Sequence, residues 1–182
     1  MEHVTVLIGI SIAGRAVGGV IHQPYTHPKD TVGRTIWGLK GMGVRGITVS
    51  SGPLTRGEGL HIAASRPRYN KHLDGIIKPL NSTHCLINGG CGHKMLLVLE
   101  GKVDTYIFPS KGSFKWDTCA GDGLIAAVGG VLTDIHGKDI DYTYVADRYE
   151  NETGFVVTLN RKLHGTIMSK VPTDIKDAFP YA

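Results

Sequence analysis

The chain has 182 residues, and its hydrophobic content of 41% is enough to form the core of one domain. The formal net charge of +4 comes from scattered basic residues, which does not favour a dedicated nucleic-acid binder but suits a small anionic substrate. Three cysteines without a Cys-x-x-Cys pair argue against a disulfide framework, and no apolar run is long enough to span a membrane. We therefore expect a soluble, cytoplasmic protein that binds neither a nucleic-acid polymer nor a membrane.

Residues 1–59 show the pattern of an antiparallel sheet. Runs of β-branched residues alternate with glycine turns at Ala13–Arg15 and Gly41–Gly43, which is typical of two successive hairpins. The expected strands are Val4–Ile12, Ala16–Ile21, Thr35–Leu39 and Val44–Val49.

Residues 60–182 alternate between short strands and helices, which predicts a mostly parallel sheet with crossover helices. The expected strands are His61–Ala64, Thr83–Ile87, Val103–Phe108, Val131–Thr133 and Gly154–Leu159. The expected helices are Asn70–Leu80, His93–Glu100, an apolar helix that begins near Asp117 and ends at Gly129, and a terminal helix over Asn160–Val171. The chain is thus expected to be a single α/β domain built from two sheets and several helices.

Three loops of the second part lead into helices, where α/β proteins commonly bind ligands. The first is Ser65–Arg68, whose hydroxyl and guanidinium groups could hold a phosphate, although a solvated surface turn has the same composition. The second is the glycine-rich turn Asn88–Gly92, followed by Lys94. Its glycines could admit an anion to the backbone N–H groups, or they could serve only the turn itself.

The third loop ends at Trp116 and Asp117. A first-turn carboxylate at this place is commonly a helix cap that complements the helix dipole, so the pattern alone leaves a ligand role open. A structural zinc site made of His84, Cys85, Cys91 and His93 is a rival hypothesis. The Cys-x5-Cys spacing is unusual for zinc, and neighbouring residues of a strand point to opposite faces, so we disfavour it.

The most informative stretch is Lys115–Ala120 together with Val128–Gly137, which contains Trp116-Asp117, Gly129-Gly130 and Asp134. It resembles the second signature of the inositol monophosphatase superfamily of metal-dependent phosphatases. Within that superfamily it is most similar to the 3'(2'),5'-bisphosphate nucleotidases. The resemblance extends upstream, in the right order, through Val4–Ile10, Gly19–Tyr25 and Gly33–Gly38.

This resemblance implies a layered α/β fold in which helices lie between two sheets, and a Mg²⁺ cofactor. It implies that Asp117 is a metal ligand, that Trp116 packs behind it, and that Ser65, Arg68, Gly90 and Lys94 bind the nucleotide. The first loop departs from the family pattern of Ser or Thr followed by Arg, Ser and His, because Pro67 and Arg68 stand in the last two places. The departure puts the contact to the base or sugar in doubt.

A second departure concerns the metal site. The resemblance places an Asp-Pro-Leu-Asp-Gly-Thr motif just before the strand at Val4–Ile10, with a Glu further upstream, and these residues supply most metal ligands and activate water. The sequence contains neither, so we expect a truncated phosphatase domain over residues 1–182 with no catalytic residue of its own. We further expect exposed apolar strand faces, marginal stability, and self-association or pairing through an exposed sheet edge.

The implied reaction is magnesium-dependent hydrolysis of the 3'-phosphate of adenosine 3',5'-bisphosphate, which gives AMP and phosphate by attack of a metal-activated water. Two alternatives stay open. The chain could be a catalytically inactive fragment that binds the nucleotide or phosphate, or it could act on inositol phosphates.

Overall fold

A computed structural model describes residues 3–26, 32–50, 59–65 and 71–181. The first sheet contains β1 (Val6–Ile12), β2 (Arg15–Gln23), β3 (Arg34–Leu39) and β4 (Gly43–Arg45), in that order. Every neighbouring pair is antiparallel, so the two predicted hairpins are confirmed. The last strand is shorter than expected because Gly46 adopts a φ of 82°, a left-handed conformation that ends the strand.

The second sheet contains five strands in the order β6-β5-β7-β9-β8. Their bounds are β5 (Leu60–Ala64), β6 (Ser82–Ile87), β7 (Thr105–Phe108), β8 (Val131–Asp134) and β9 (Phe155–Thr158). The strand β5 pairs in parallel with β6 and β7, whereas β9 lies antiparallel between β7 and β8. The sheet is therefore mixed, with β9 reversed relative to the other four strands.

The helices are α1 (Lys71–Ile77), which continues into a 3₁₀ turn at Lys78–Leu80, α2 (Cys91–Leu99), α3 (Lys115–Ala127), α4 (Arg161–Lys170) and α5 (Thr173–Asp177). The predicted terminal helix ends at Lys170, close to its expected end. The short α5 was not predicted: Pro172 interrupts the helical pattern and becomes the residue that precedes the new helix.

The elements form four layers. The helices α2 and α3 lie between the two sheets, and their apolar side chains form one core with Ile21, Ile36 and Val157. The helices α1, α4 and α5 cover the other face of the second sheet through a second core that includes Ile62, Val156 and Ile167. The predicted layered arrangement is confirmed, and it places the first turns of α2 and α3 near one edge of the structure.

Glycines allow α3 to lie directly against the first sheet. A side chain at Gly19 would collide with the backbone of Ala120, and one at Gly123 would collide with the backbone of Gly18. Since the helix backbone itself forms this contact, the sheet fixes the position of α3 and of the loop that precedes it.

The outer face of the first sheet is apolar and exposed. Ile8, Val20 and Trp37 are paired in one row across three strands, and Ile10 and Leu39 flank Gly18 in the next row. The large side chains of this face and its edges are 36–66% exposed: Val4, Val6, Ile8, Ile10, Ile12, Trp37, Leu39 and Met42. The exposed apolar face agrees with the expectation from the sequence. In the described ranges, we find no helix with the length and apolar character needed to traverse a bilayer.

Candidate active site

The ends of β5 and β6 bring the first two predicted loops together. Because these strands are parallel, their carboxyl ends lie at the same edge of the sheet. There the backbone N–H of Asn88 donates to the carbonyl of Ala64 at 3.1 Å, so Ser65 and the glycine-rich turn begin side by side. Arg68, the other residue predicted from the first loop, lies outside the described residues.

The glycine-rich turn fits tightly against the start of the chain. Gly90 has a φ of 71° and immediately precedes α2. A side chain at Gly90 would collide with the carbonyl of His3, and one at Gly92 would collide with Thr5 and Leu7. The approach to β1 therefore lies beside this turn.

Lys94 is buried beneath the turn, with 1% of its surface exposed. Its ammonium group donates to the carbonyl oxygens of Asn88 at 3.1 Å and of Gly90 at 2.9 Å, and it lies 5.0 Å from the centre of the Tyr106 ring. Burial lowers the pKa of Lys94, and the neighbouring Cys91 partly opposes this effect. The contacts favour a role in holding the turn carbonyls inward; direct contact between Lys94 and a phosphate stays a prediction.

Tyr106 and Cys91 connect the predicted residues, although the sequence did not single out either residue for this role. The side chains of Tyr106 and Ser65 hydrogen-bond, and the Tyr106 hydroxyl donates to the Cys91 sulfur at 3.9 Å. Burial raises the pKa of Cys91 to about 12, so its thiol stays protonated at neutral pH and cannot serve as a thiolate nucleophile. Burial likewise raises the pKa of Tyr106 well above its ordinary value.

Asp117 is in the first turn of α3, as predicted. Its Oδ2 accepts a hydrogen bond from the backbone N–H of Phe114 at 2.9 Å, while its own N–H donates to the Phe114 carbonyl at 2.9 Å. The carboxylate thus caps the helix. Its charge is also among the causes that raise the pKa values of Cys91 and Tyr106, after burial, so it lies within electrostatic reach of both.

Trp116 does not pack behind Asp117 as the resemblance implied. Its ring is 57% exposed and stacks on Phe114, with a centroid distance of 4.7 Å and an interplanar angle of 11°. The reason is its place on the outward side of the first helical turn, next to Tyr149 at 5.6 Å.

The metal-binding capacity of the described ranges is limited to single ligands. They contain no group of three or more His, Cys, Asp and Glu side chains that could hold a metal ion. His84, Cys85, Cys91 and His93 all lie in these ranges, so the zinc hypothesis is wrong. Mg²⁺ is commonly bound by one or two carboxylates, several waters and substrate phosphates, and Asp117 fits as one such carboxylate.

A family model described as "Inositol monophosphatase family" matches residues 1–176. The chain belongs to this family. The prediction made from the Trp116-Asp117 signature is therefore confirmed.

Within the inositol monophosphatase family, the chain is 39% identical over 183 aligned positions to 3'(2'),5'-bisphosphate nucleotidase 1 from Homo sapiens, and 27% identical over 179 positions to inositol monophosphatase 3 from Danio rerio. The alignments cover 98% and 94% of this chain, but only 57% and 48% of those proteins. The crystal structure of staphylococcal IMPase-II has the same fold, with a TM-score of 0.74 over 98% of this chain and 64% of that chain at 19% identity. The chain thus spans little more than half of the nucleotidase that it resembles.

Proposed function

We propose that this chain is part of a magnesium-dependent phosphatase that removes the 3'-phosphate of adenosine 3',5'-bisphosphate, giving AMP and phosphate. The proposal is supported by the 39% identity to a bisphosphate nucleotidase together with the convergence of Ser65, the glycine-rich turn and Asp117. We also propose that it acts in the cytoplasm, since its sequence composition suits a reducing compartment.

Each predicted residue has a distinct part in binding. The Ser65 hydroxyl, oriented by Tyr106, donates to a phosphate oxygen, and Lys94 fixes the turn whose backbone N–H groups face the anion. Asp117 offers a carboxylate to the metal while its hydrogen bond to Phe114 keeps the loop in place. A bound Mg²⁺ would supply Lewis acidity that stabilises negative charge on the phosphate.

Phosphate release from adenosine 3',5'-bisphosphate, titrated with Mg²⁺, tests this function. Asp117→Asn keeps an oxygen that can accept the Phe114 N–H but removes the negative charge, so we expect metal-dependent release to be lost while the fold persists. Asp104→Asn is a matched control, because Asp104 instead accepts the His61 N–H at 2.8 Å. Equal release by the wild type and the Asp117 variant would overturn the proposed metal role.

A second candidate is nucleotide binding without turnover. Its support is that the described ranges offer Asp117 but no cluster of metal ligands, whereas catalysis by two metals needs several carboxylates at one point. Equilibrium dialysis with adenosine 3',5'-bisphosphate separates the two candidates: binding without phosphate release would favour this one.

Action on inositol phosphates is the remaining alternative. The lower identity to inositol monophosphatase 3, 27% against 39% for the nucleotidase, favours the nucleotide substrate. Competition between inositol 1-phosphate and adenosine 3',5'-bisphosphate for binding gives a direct measurement. Stronger competition by the inositol phosphate would reverse the assignment.

A further inference from the structure

Four aromatic rings form a continuous row beside Asp117, and we call this row the aromatic ladder. Phe114 stacks on Trp116, the Tyr149 ring lies 5.6 Å from Trp116 at an angle of 40°, and Tyr144 lies 6.2 Å from Tyr149 at an angle of 48°. The ladder is not part of either apolar core. Trp116 is 57% exposed and Tyr144 is 79% exposed.

The backbone holds the ladder in a defined position. Phe114 forms a β-bridge with Glu150, and the N–H of Lys115 donates to the carbonyl of Tyr149 at 2.7 Å. One residue further along, the N–H of Asn151 donates to the carbonyl of Ser113 at 2.8 Å. Trp116 and Tyr149 are thus fixed by paired backbone segments, so little conformational freedom remains to be lost when a ring binds.

The charges around the ladder suit an anion that carries an aromatic ring. Lys115 and Arg148 are next in sequence to Trp116 and Tyr149, and both line the cavity of about 270 Å³ that adjoins this loop. Asp117, the proposed metal ligand, follows Trp116 directly. Exposed and rigid aromatic rings beside a phosphate-binding region provide what a nucleoside phosphate needs: a stacking surface for the base within reach of the phosphates.

We propose that the aromatic ladder is the base-binding subsite, on which Trp116 stacks the adenine ring, with Tyr149 and Tyr144 extending the surface. It selects nucleotides over inositol phosphates, which carry no aromatic ring. This inference rests on the nucleotide substrate proposed above and assigns the recognition of its base. It also gives the chain a base contact that does not depend on Arg68.

The two tryptophans of the chain allow a direct test. Trp37 lies on the outer face of the first sheet, so Trp37→Phe leaves Trp116 as the single fluorescent reporter. We expect saturable quenching of Trp116 by adenosine 3',5'-bisphosphate, since a stacked purine quenches indole emission. An abasic analogue that keeps the ribose and both phosphates should bind without this quenching.

Substitutions provide the matched comparison. Trp116→Leu should raise the Kd for the nucleotide by roughly 5- to 100-fold, which is the range for loss of one base stack, and should leave the Kd for the abasic analogue within about twofold. Tyr144→Ala should change both values in the same direction but less strongly. Trp37→Leu removes a tryptophan of comparable exposure and should change neither.

The outcomes separate this inference from the proposed reaction. Nucleotide binding that leaves Trp116 fluorescence unchanged, or that Trp116→Leu does not weaken, overturns the base subsite even when phosphate is released. Quenching and selective weakening without phosphate release support the subsite and count against the proposed reaction. Failure of the Trp37→Phe protein to bind the nucleotide overturns the subsite.

Discussion

Asp122 is a buried carboxyl group whose ionisation lies in the neutral range. It is part of α3 and faces the Tyr142 hydroxyl, near the ion pair formed by Arg15 and Asp139 at 2.9 Å. Burial raises its pKa from 3.8 to about 7; Tyr142 and Arg15 oppose the rise, and Asp139 adds to it. The folded protein therefore holds a proton that the unfolded chain has already released at the same pH.

This pKa shift has a defined sign for stability. Below pH 3.8 Asp122 is protonated in both states, and between about pH 4 and 7 only the folded state stays protonated, so its contribution falls as the pH rises. Asp122→Asn removes this dependence. The variant should gain on the order of 2–4 kcal/mol relative to the wild type between pH 4 and pH 8, at 1.36 kcal/mol per pKa unit.

Denaturant unfolding at several pH values measures the difference. The matched control is Asp139→Asn, whose carboxylate is 59% exposed and should contribute little. A difference between Asp122→Asn and the wild type that does not change with pH would contradict the buried titration.

The candidate site shows which residues a sequence can reveal. Ser65, Gly90, Lys94 and Asp117 belong to recognisable local patterns, and the described structure places them around one edge of the second sheet. Tyr106 is one polar group within an apolar strand, and its link to Ser65 depends on the pairing of β5 with β7. No local pattern contains that pairing, so its role became visible only in three dimensions.

At the scale of elements, the contact between α3 and β2 depends on the absence of side chains. Gly123→Ala would place a methyl group against the backbone of Gly18, which cannot move without disturbing β2. We expect destabilisation by about 2–4 kcal/mol, in the range of strong overpacking or above. Thermal and denaturant unfolding measure it.

Gly165 in α4 provides the control for this substitution, because a side chain there would meet nothing within 4 Å. Gly165→Ala should stabilise the protein by about 0.5–1 kcal/mol, since alanine is the better helix former. Opposite signs for the two glycine substitutions are the expected result. Equal effects would show that helix propensity alone governs both sites.

An ion-pair network ties the first sheet to the end of α2. Arg34 of β3 donates to Gln23 of β2 at 2.8 Å and to Glu100 at 2.5 Å, and Lys102 lies 2.8 Å from the other Glu100 oxygen. Although burial raises the pKa of Glu100, the hydrogen bonds and charges of Lys102 and Arg34 outweigh it and lower the pKa. A lowered folded-state pKa means that the network stabilises above the unfolded value of 4.5 and is lost as the pH falls through the folded value.

Glu100→Gln should therefore cost about 1–3 kcal/mol at pH 7, the range for hydrogen bonds to charged groups. The cost should diminish in acid, where the wild-type carboxylate is also protonated. Unfolding curves at pH 7 and near pH 3 test this, and Glu152→Gln in the C-terminal loop is a charge-matched control. A loss of stability that persists undiminished in acid would show that packing, rather than charge, explains the effect.

Element boundaries were largely predictable, whereas the direction of one strand was not. The hairpins and the alternation of strands and helices follow from glycine turns and apolar periodicity, which are local. The antiparallel insertion of β9 between β7 and β8 is a property of the whole sheet. A strand flanked by helical patterns has the same local sequence in either direction, so the parallel expectation for this strand was wrong.

At the scale of the whole molecule, the outer face of the first sheet is the largest apolar feature of the described surface. Strands of up to nine residues, at about 3.3 Å per residue and about 4.8 Å between strands, give a face of roughly 25 by 20 Å. Such a face is near the upper size of the apolar patches that monomers expose, about 300–600 Å². Its edge strand β1 also leaves backbone groups on one side without a strand partner in the described sheet.

We propose that a second copy of the chain covers this face. The rows formed by Ile8, Val20 and Trp37 and by Ile10 and Leu39 contain no charge, so two copies related by a two-fold axis can meet without repulsion. Two such faces would bury roughly 1,000 Å² in total, the lower limit for a specific interface. The association should therefore be weak and depend on concentration.

Sedimentation velocity over a series of protein concentrations tests this proposal. The wild type should shift from monomer to dimer as its concentration rises, because the apolar face is removed from water only in the dimer. Combined Ile8→Lys and Ile10→Lys substitutions place two like charges on each copy and should abolish the shift while leaving the inward core unchanged. The control is Val145→Lys, an exposed apolar residue of the C-terminal loop, which should leave association intact. A wild type that stays monomeric throughout, or an equal effect of both charge placements, would show that this face does not mediate self-association.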